Sequence, residues 1–188
     1  MNIIFVDIDG PLLPRKMHMF HENRSSDPQE PPKFDDFAVR AFNLWTKYAQ
    51  AKAVFSTYWT YSFTGDELKH FMESNGLELD YHDDLITPKA PRCTTRNAEI
   101  CDWLRKHPEV ERFIAVDDDT SCRYIEETVE EDMTIKSIGR WINVNFDNGI
   151  SWENFCDGCN GLGINVHKVL DEEFSNKVDD THHHSYNK

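Results

Sequence analysis

The chain has 188 residues, enough for one domain with a proper core and too few for two ordinary ones. Apolar residues make up 39% and charged residues 29%, a soluble globular balance, and no apolar run is long enough to span a membrane. Thirty-four Asp and Glu against twenty Lys and Arg give a formal charge of −14, which argues against extended duplex or anionic-lipid binding and leaves only local basic sites.

In chain order, Asn2 to Val6 is a short apolar run that reads as a buried strand and stops at Asp7-Ile8-Asp9-Gly10. Residues 11–33 hold five prolines, several charges and no clear period, which reads as a flap or minimal cap insertion. Phe34 to Gln50 has helical spacing of apolar residues, with Asp35 or Asp36 as its cap. Ala51 to Phe55 is a second buried strand, ending in Ser56-Thr57. Asp66 to Asn75 is a short amphipathic helix closed by Gly76, and Leu79 to Ile86 is either a strand or a loop. Thr94 or Thr95 caps a helix that runs to about His107. Phe113 to Val116 is a third buried strand, ending in Asp117-Asp118-Asp119. Ser121 to Glu131 reads as helix, and Ile135–Ile138 and Trp141–Phe146 as two later strands. The expected organisation is one catalytic domain over 1–170 and a polar C-terminal tail over 171–188.

The N-terminal apolar run lacks the form of a secretory leader. The five cysteines, at 93, 101, 122, 156 and 159, are odd in number and uneven in spacing. No disulfide framework is expected, and the setting reads as reducing and cytoplasmic.

Strands apolar on both faces, alternating with amphipathic helices, imply an α/β fold: a Rossmann-like parallel sheet covered on both sides. Such folds bind ligands outside the C-terminal ends of their strands. Asp7 and Asp9, with Asp117 or Asp118, then put three or more carboxylates at one edge, where bare carboxylates would repel one another. A hard divalent cation relieves that repulsion, and Mg²⁺ takes a few carboxylates while accepting phosphate oxygens. The pattern therefore points to a Mg²⁺–phosphate site.

The ordered motifs Phe5-Val6-Asp7-Ile8-Asp9-Gly10, Val54-Phe55-Ser56-Thr57 and Ile114-Ala115-Val116-Asp117-Asp118 resemble those of the haloacid dehalogenase-like superfamily, mostly phosphohydrolases. A narrower likeness is to its small-cap branch of stand-alone phosphatases and domains in RNA-repair proteins. It rests on Thr57-Tyr58-Trp59, on Arg96 before Glu99-Ile100-Cys101-Asp102-Trp103-Leu104, and on the turn Asn148-Gly149-Ile150. Pro11 and Thr60 depart from the pattern, standing where an aliphatic residue and an Arg are common.

The resemblance implies that Asp7 is the nucleophile and Asp9 the general acid and base, an aspartyl-phosphate forming on Asp7. It implies Mg²⁺ on Asp7, the Asp9 carbonyl, Asp118 and Asp117. Residues i and i+2 of a strand share a face, so Asp7 and Asp9 both meet the substrate while Ile8 packs away. The phosphate-binding hydroxyl is Ser56 or Thr57. The third-motif cation is Arg96, at a helix start that itself attracts anions, or else Lys89 or Arg92. Gly10 gives the chain room to turn, and Arg15 leads a basic set in the flap with Lys16, His18, His21 and Arg24. Together Gly10, Lys89, Arg92 and Arg15 are the phosphate- or substrate-binding candidates. Cys156 and Cys159, with His167, offer a weak zinc pattern, since zinc commonly wants four ligands.

These residues describe a phosphomonoester hydrolase acting on a nucleotide or a terminal phosphate of nucleic acid. The competing readings are a non-catalytic binding module of the same fold and a phosphotransferase to an acceptor other than water. Oligomeric state is left open by the sequence.

Overall fold

A computed structural model describes residues 1–19, 32–89 and 95–175. Five strands form one sheet: β1 (Asn2–Val6), β2 (Lys52–Phe55), β3 (Asp80–Ile86), β4 (Arg112–Asp117) and β5 (Ile138–Asn143). Their order is β3-β2-β1-β4-β5 and every pairing is parallel. This is the doubly wound order, with its reversal between β1 and β4.

Alternation along the strands builds two cores, because neighbouring side chains point to opposite faces. Ile4, Val6, Ile114 and Val116 face one way, against α1 (Asp36–Ala49), α2 (Gly65–Ser74), α5 (Trp152–Leu162) and α6 (Val166–Ser175). Ile3, Phe5, Phe113 and Ala115 face the other, against α3 (Arg96–Lys106) and α4 (Ile125–Glu131). Phe5 meets Trp103 of α3 edge-on at 5.3 Å and Phe113 at 5.8 Å. A lone strand with one solvated face would show alternating polarity; these are apolar throughout because both faces are covered.

The helix starts follow local hydrogen bonding. Asp35 accepts from the backbone N–H groups of Phe37 and Ala38 at 3.1 Å each, and Thr95 accepts from Ala98 N–H. Ser151 and Asn154 close a reciprocal capping box at the start of α5.

Three expectations change. The stretches 135–138 and 141–146 do not make two strands. One strand, β5, covers Ile138–Asn143, while Ile135 packs into the core beside α4. Residues 121–131 divide into a 3-10 turn over Thr120–Tyr124 and then α4. Regular structure continues to Ser175 in α6, past the point where the sequence turns polar. In the flap, Arg15–Met19 forms a 3-10 turn; His21, Arg24, Arg92, Cys93, Thr94 and the tail histidines lie outside the described residues.

Candidate active site

The register of the sheet builds the site. Val6 sits level with Phe55 on β2 and Val116 on β4, so the next residues, Asp7, Ser56 and Asp117, stand side by side at the sheet's C-terminal edge. Backbone bonds hold that edge: Asp7 N–H donates to the Val116 carbonyl at 3.2 Å, and Ser56 N–H to the Val6 carbonyl at 2.9 Å. Beyond Asp7 the chain turns tightly, with the N–H groups of Leu12 and Leu13 both donating to the Ile8 carbonyl. Gly10 takes φ +87° there, and a Cβ on it would stand 2.6 Å from Asp118 Oδ1. Only glycine meets both demands.

Asp7, Asp117 and Asp118 each present a carboxylate oxygen, and these oxygens lie within 4.8 Å of one another. Burial, reinforced by the Asp117 charge, raises the pKa of Asp7 well above the carboxylate range; Arg96 and a hydrogen bond from Thr57 oppose that rise. Burial likewise raises Asp117, against the pull of Arg96. Asp118 is raised too, again chiefly by burial, with the Asp119 and Asp9 charges adding to it. Carboxyls crowded in this way are short of positive charge. One Asp117 oxygen, Oδ2, is buried without a hydrogen bond among the described residues. A hard cation with oxygen ligands fits this donor set.

Among the described residues, Arg96 is the cation paired with the cluster. Thr95 caps α3, which makes Arg96 the first helical residue and points its side chain, only 4% exposed, under the strand ends. Its Nη2 is 3.8 Å from Asp7 Oδ1, its Nε 3.1 Å from Asp117 Oδ2, and its Nη1 3.2 Å from Glu99 Oε2. The Asp117 contact is an ion pair off the line of a hydrogen bond, since Nε also lacks a hydrogen-bond partner among the described residues. Burial pulls the Arg96 pKa down, and Asp7, Asp117 and Glu99 together more than reverse it.

The other candidates sort out around this centre. Thr57 bonds to Asp7, whereas the Ser56 hydroxyl is buried without a hydrogen-bond partner among the described residues. Asp9 lies beside the cluster and accepts a hydrogen bond from Trp59 Nε1 at 2.9 Å. Asp119 turns away, capping the next turn through Ser121 N–H at 2.8 Å. Lys89 stands over the Tyr61 ring at 5.3 Å, and Arg15 pairs with Asp147 at 3.4 Å; neither is paired with the carboxylate cluster. Thr60 is buried and its hydroxyl donates to the Thr57 carbonyl at 2.8 Å.

Sequence reasoning gave no role to Glu99, Trp59 or Trp141. Glu99 braces Arg96, and Trp141 Nε1 donates to the Asp117 carbonyl at 2.8 Å. The i, i+3 spacing of Arg96 and Glu99 was the visible signal for the first; contacts over 50 and 24 positions carry no such sign.

Two further metal patterns resolve differently. Cys156 and Cys159 lie on α5 beside Gly158, where a Cβ would meet the Trp45 ring at 2.4 Å, so their motif serves close helix packing. No cluster of potential ligands among the described residues includes them. His82, His107 and Glu109 do converge. However, His82 Nδ1 accepts from Asp84 N–H at 3.0 Å, which puts the proton on Nε2, the nitrogen facing Glu109 at 3.9 Å. That nitrogen is set to donate a proton, not to ligate a metal.

A parallel sheet in this order, with an Asp-x-Asp-Gly turn after β1, a hydroxyl after β2, a buried Arg at a helix start and acids after β4, defines a haloacid dehalogenase-like domain. A family model described as "HAD domain in Swiss Army Knife RNA repair proteins" matches residues 3–155, and the chain belongs to that family. No curated protein and no solved structure gives a significant match. Membership supports a phosphatase-type function in general terms. No helix among the described residues is long and apolar enough to cross a membrane.

Proposed function

We propose that the protein is a Mg²⁺-dependent phosphomonoester hydrolase that works through an aspartyl-phosphate on Asp7, with a nucleotide or a terminal phosphate of nucleic acid as substrate. The observation that carries this reading is the placement of Asp7, buried between the Arg96 guanidinium at 3.8 Å and the carboxylates of Asp117 and Asp118. Phosphoryl transfer needs positioning and charge neutralisation more than covalent chemistry, and both are concentrated there.

An Asp7 oxygen attacks phosphorus and the ester P–O bond breaks. The carboxyl of Asp9 gives its proton to the departing oxygen. Asp9 then takes a proton from water, whose oxygen attacks the phosphorus, releasing phosphate and freeing Asp7. Arg96 and Thr57 orient the phosphoryl oxygens. Asp7, the Asp9 carbonyl, Asp118 and Asp117 would hold Mg²⁺, which when bound offsets the negative charge of the carboxylates and the phosphoryl group. A reducing, cytoplasmic setting is part of this reading, carried by the odd number and uneven spacing of the cysteines.

The test is a panel of phosphomonoesters, including nucleoside monophosphates and 3′- and 5′-phosphorylated oligonucleotides, assayed with Mg²⁺ and with chelator. Mg²⁺-dependent release of phosphate from nucleotide substrates is expected. No turnover across the panel would overturn the proposal.

A further inference from the structure

In a 3-10 turn residues i and i+3 eclipse one another. Tyr58–Tyr61 is such a turn, placed directly after Thr57. Thr60 turns inward and Trp59 reaches Asp9, which leaves Tyr58 and Tyr61 aligned on the outer side. Their ring centroids are 6.1 Å apart and their planes 23° from parallel. Tyr58 is 63% exposed and Tyr61 58%. Single exposed aromatics are ordinary; two aligned ones at the lip of a catalytic cluster are a surface with a shape.

The pair is tied to that cluster. The Arg96 guanidinium, which contacts Asp7, lies 4.7 Å from the centre of the Tyr58 ring. Lys89 Nζ lies 5.3 Å from the centre of the Tyr61 ring. An acidic chain has thus placed a cation against each of two flat rings, and one of these cations, Arg96, contacts the residue that would take the phosphoryl group. Neutral aromatic ligands have no use for the cations, and sugar phosphates engage the rings only through a C–H face. A nucleotide uses both, because its base sits one sugar away from its phosphate and stacks on aromatic side chains.

We infer that Tyr58 and Tyr61 form a base-stacking platform, so that the site takes a phosphate carried by a nucleotide with an unpaired base. The inference rests on the phosphatase reading above and adds to it the group recognised. Lys89 then sits where the phosphodiester of a neighbouring nucleotide would pass.

The test compares two short phosphorylated oligonucleotides that differ only in whether the terminal nucleotide carries its base or is abasic. The wild type should favour the base-bearing end by about 5- to 150-fold in kcat/KM. In Tyr61→Ala that ratio should fall towards one, and in Tyr61→Phe it should be kept. Tyr61 is the cleaner position, because Tyr58 also shields Arg96. A wild-type ratio of one, or an unchanged ratio in Tyr61→Ala, overturns the platform. A nucleoside monophosphate assayed beside the oligonucleotide separates a free nucleotide from a strand end as the source of the base. Should the protein turn over neither oligonucleotide nor the nucleoside monophosphate, the phosphatase reading fails on its own. The platform is then decided by fluorescence anisotropy with the same pair: tighter binding of the base-bearing end, lost in Tyr61→Ala, supports it, and equal binding overturns it.

Discussion

The indole Nε1–H of Trp59 donates to Oδ2 of Asp9 at 2.9 Å, tying the turn after β2 to the acid two residues beyond Asp7. The ring is seated by Phe63 at 5.5 Å and Phe71 at 6.1 Å. On the proposed mechanism Trp59 is therefore a positioning residue for Asp9, the group that would handle the leaving oxygen's proton. Trp59→Phe keeps most of the packing and removes the donor. We expect kcat/KM to fall by about tenfold for alkyl phosphates, whose leaving groups need a proton, the order expected for a lost hydrogen bond to a charged group. Aryl phosphates, which leave more easily, should lose less. Equal losses on both substrates would show that Trp59 acts only through packing.

Arg96 holds together three acids from β1, β4 and its own helix. Removing one partner from a buried ion network leaves the others uncompensated, at about 3–5 kcal/mol. Arg96→Met should lower unfolding stability by that order, read by urea denaturation, and abolish turnover. Arg96→Lys should restore little, because a single ammonium cannot reproduce the fork that meets Asp7, Asp117 and Glu99 together.

The buried carboxyls make stability depend on pH in a definite direction. The folded pKa of Asp7 is raised by burial, and that of Asp117 is pushed up to about 7, also by burial. A carboxyl whose folded pKa exceeds its unfolded value destabilises the fold once ionised. That penalty is relieved as pH falls through the folded pKa towards the unfolded one. In chelator, the melting temperature should rise as pH is lowered from above 7 towards the ordinary carboxylate range. Asp7→Asn should melt higher than the wild type above neutral pH and show a flatter profile. Mg²⁺ should raise the wild-type melting temperature most at the alkaline end. A wild-type profile identical to that of Asp7→Asn would remove Asp7 as a source of the effect.

Gly10 is confined twice, by φ +87° and by Asp118 Oδ1. Gly10→Ala should destabilise the fold by more than about 1 kcal/mol, since alanine is strained at positive φ. It should also displace Asp118, so the Mg²⁺ concentration for half-maximal activity should rise more than KM for substrate. Activity titrated against Mg²⁺ reads this directly.

The strands that carry the site were legible because burial on both faces writes them as unbroken apolar runs, as in Ile3 to Val6 and Phe113 to Val116. The edge strands were not. β3 reads Asp-Tyr-His-Asp-Asp-Leu-Ile and is half solvated, and β5 leaves Ile138 65% exposed while Ile135 packs elsewhere. Hydrophobicity there no longer reports the strand. The helix α5 was masked by its composition: Ser151 and Asn154 form a capping box ahead of the stripe Phe155, Cys159 and Leu162, but Gly158 and Gly161 within it lower the helical signal. At the site, the acids were visible because motif and strand end coincide. The choice of Arg96 over Lys89 depends on where α3 begins, and so on which threonine caps it. Trp59 to Asp9 and Trp141 to Asp117 are long-range hydrogen bonds that no local spacing announces.

The central claim is that Asp7 is the group phosphorylated during turnover. The most direct measurement is hydrolysis of a phosphorylated nucleotide substrate in Mg²⁺ by the wild type and by Asp7→Asn, with folding of both checked by thermal melting. The account predicts turnover by the wild type and none detectable by a folded Asp7→Asn. Wild-type rates in Asp7→Asn would contradict it.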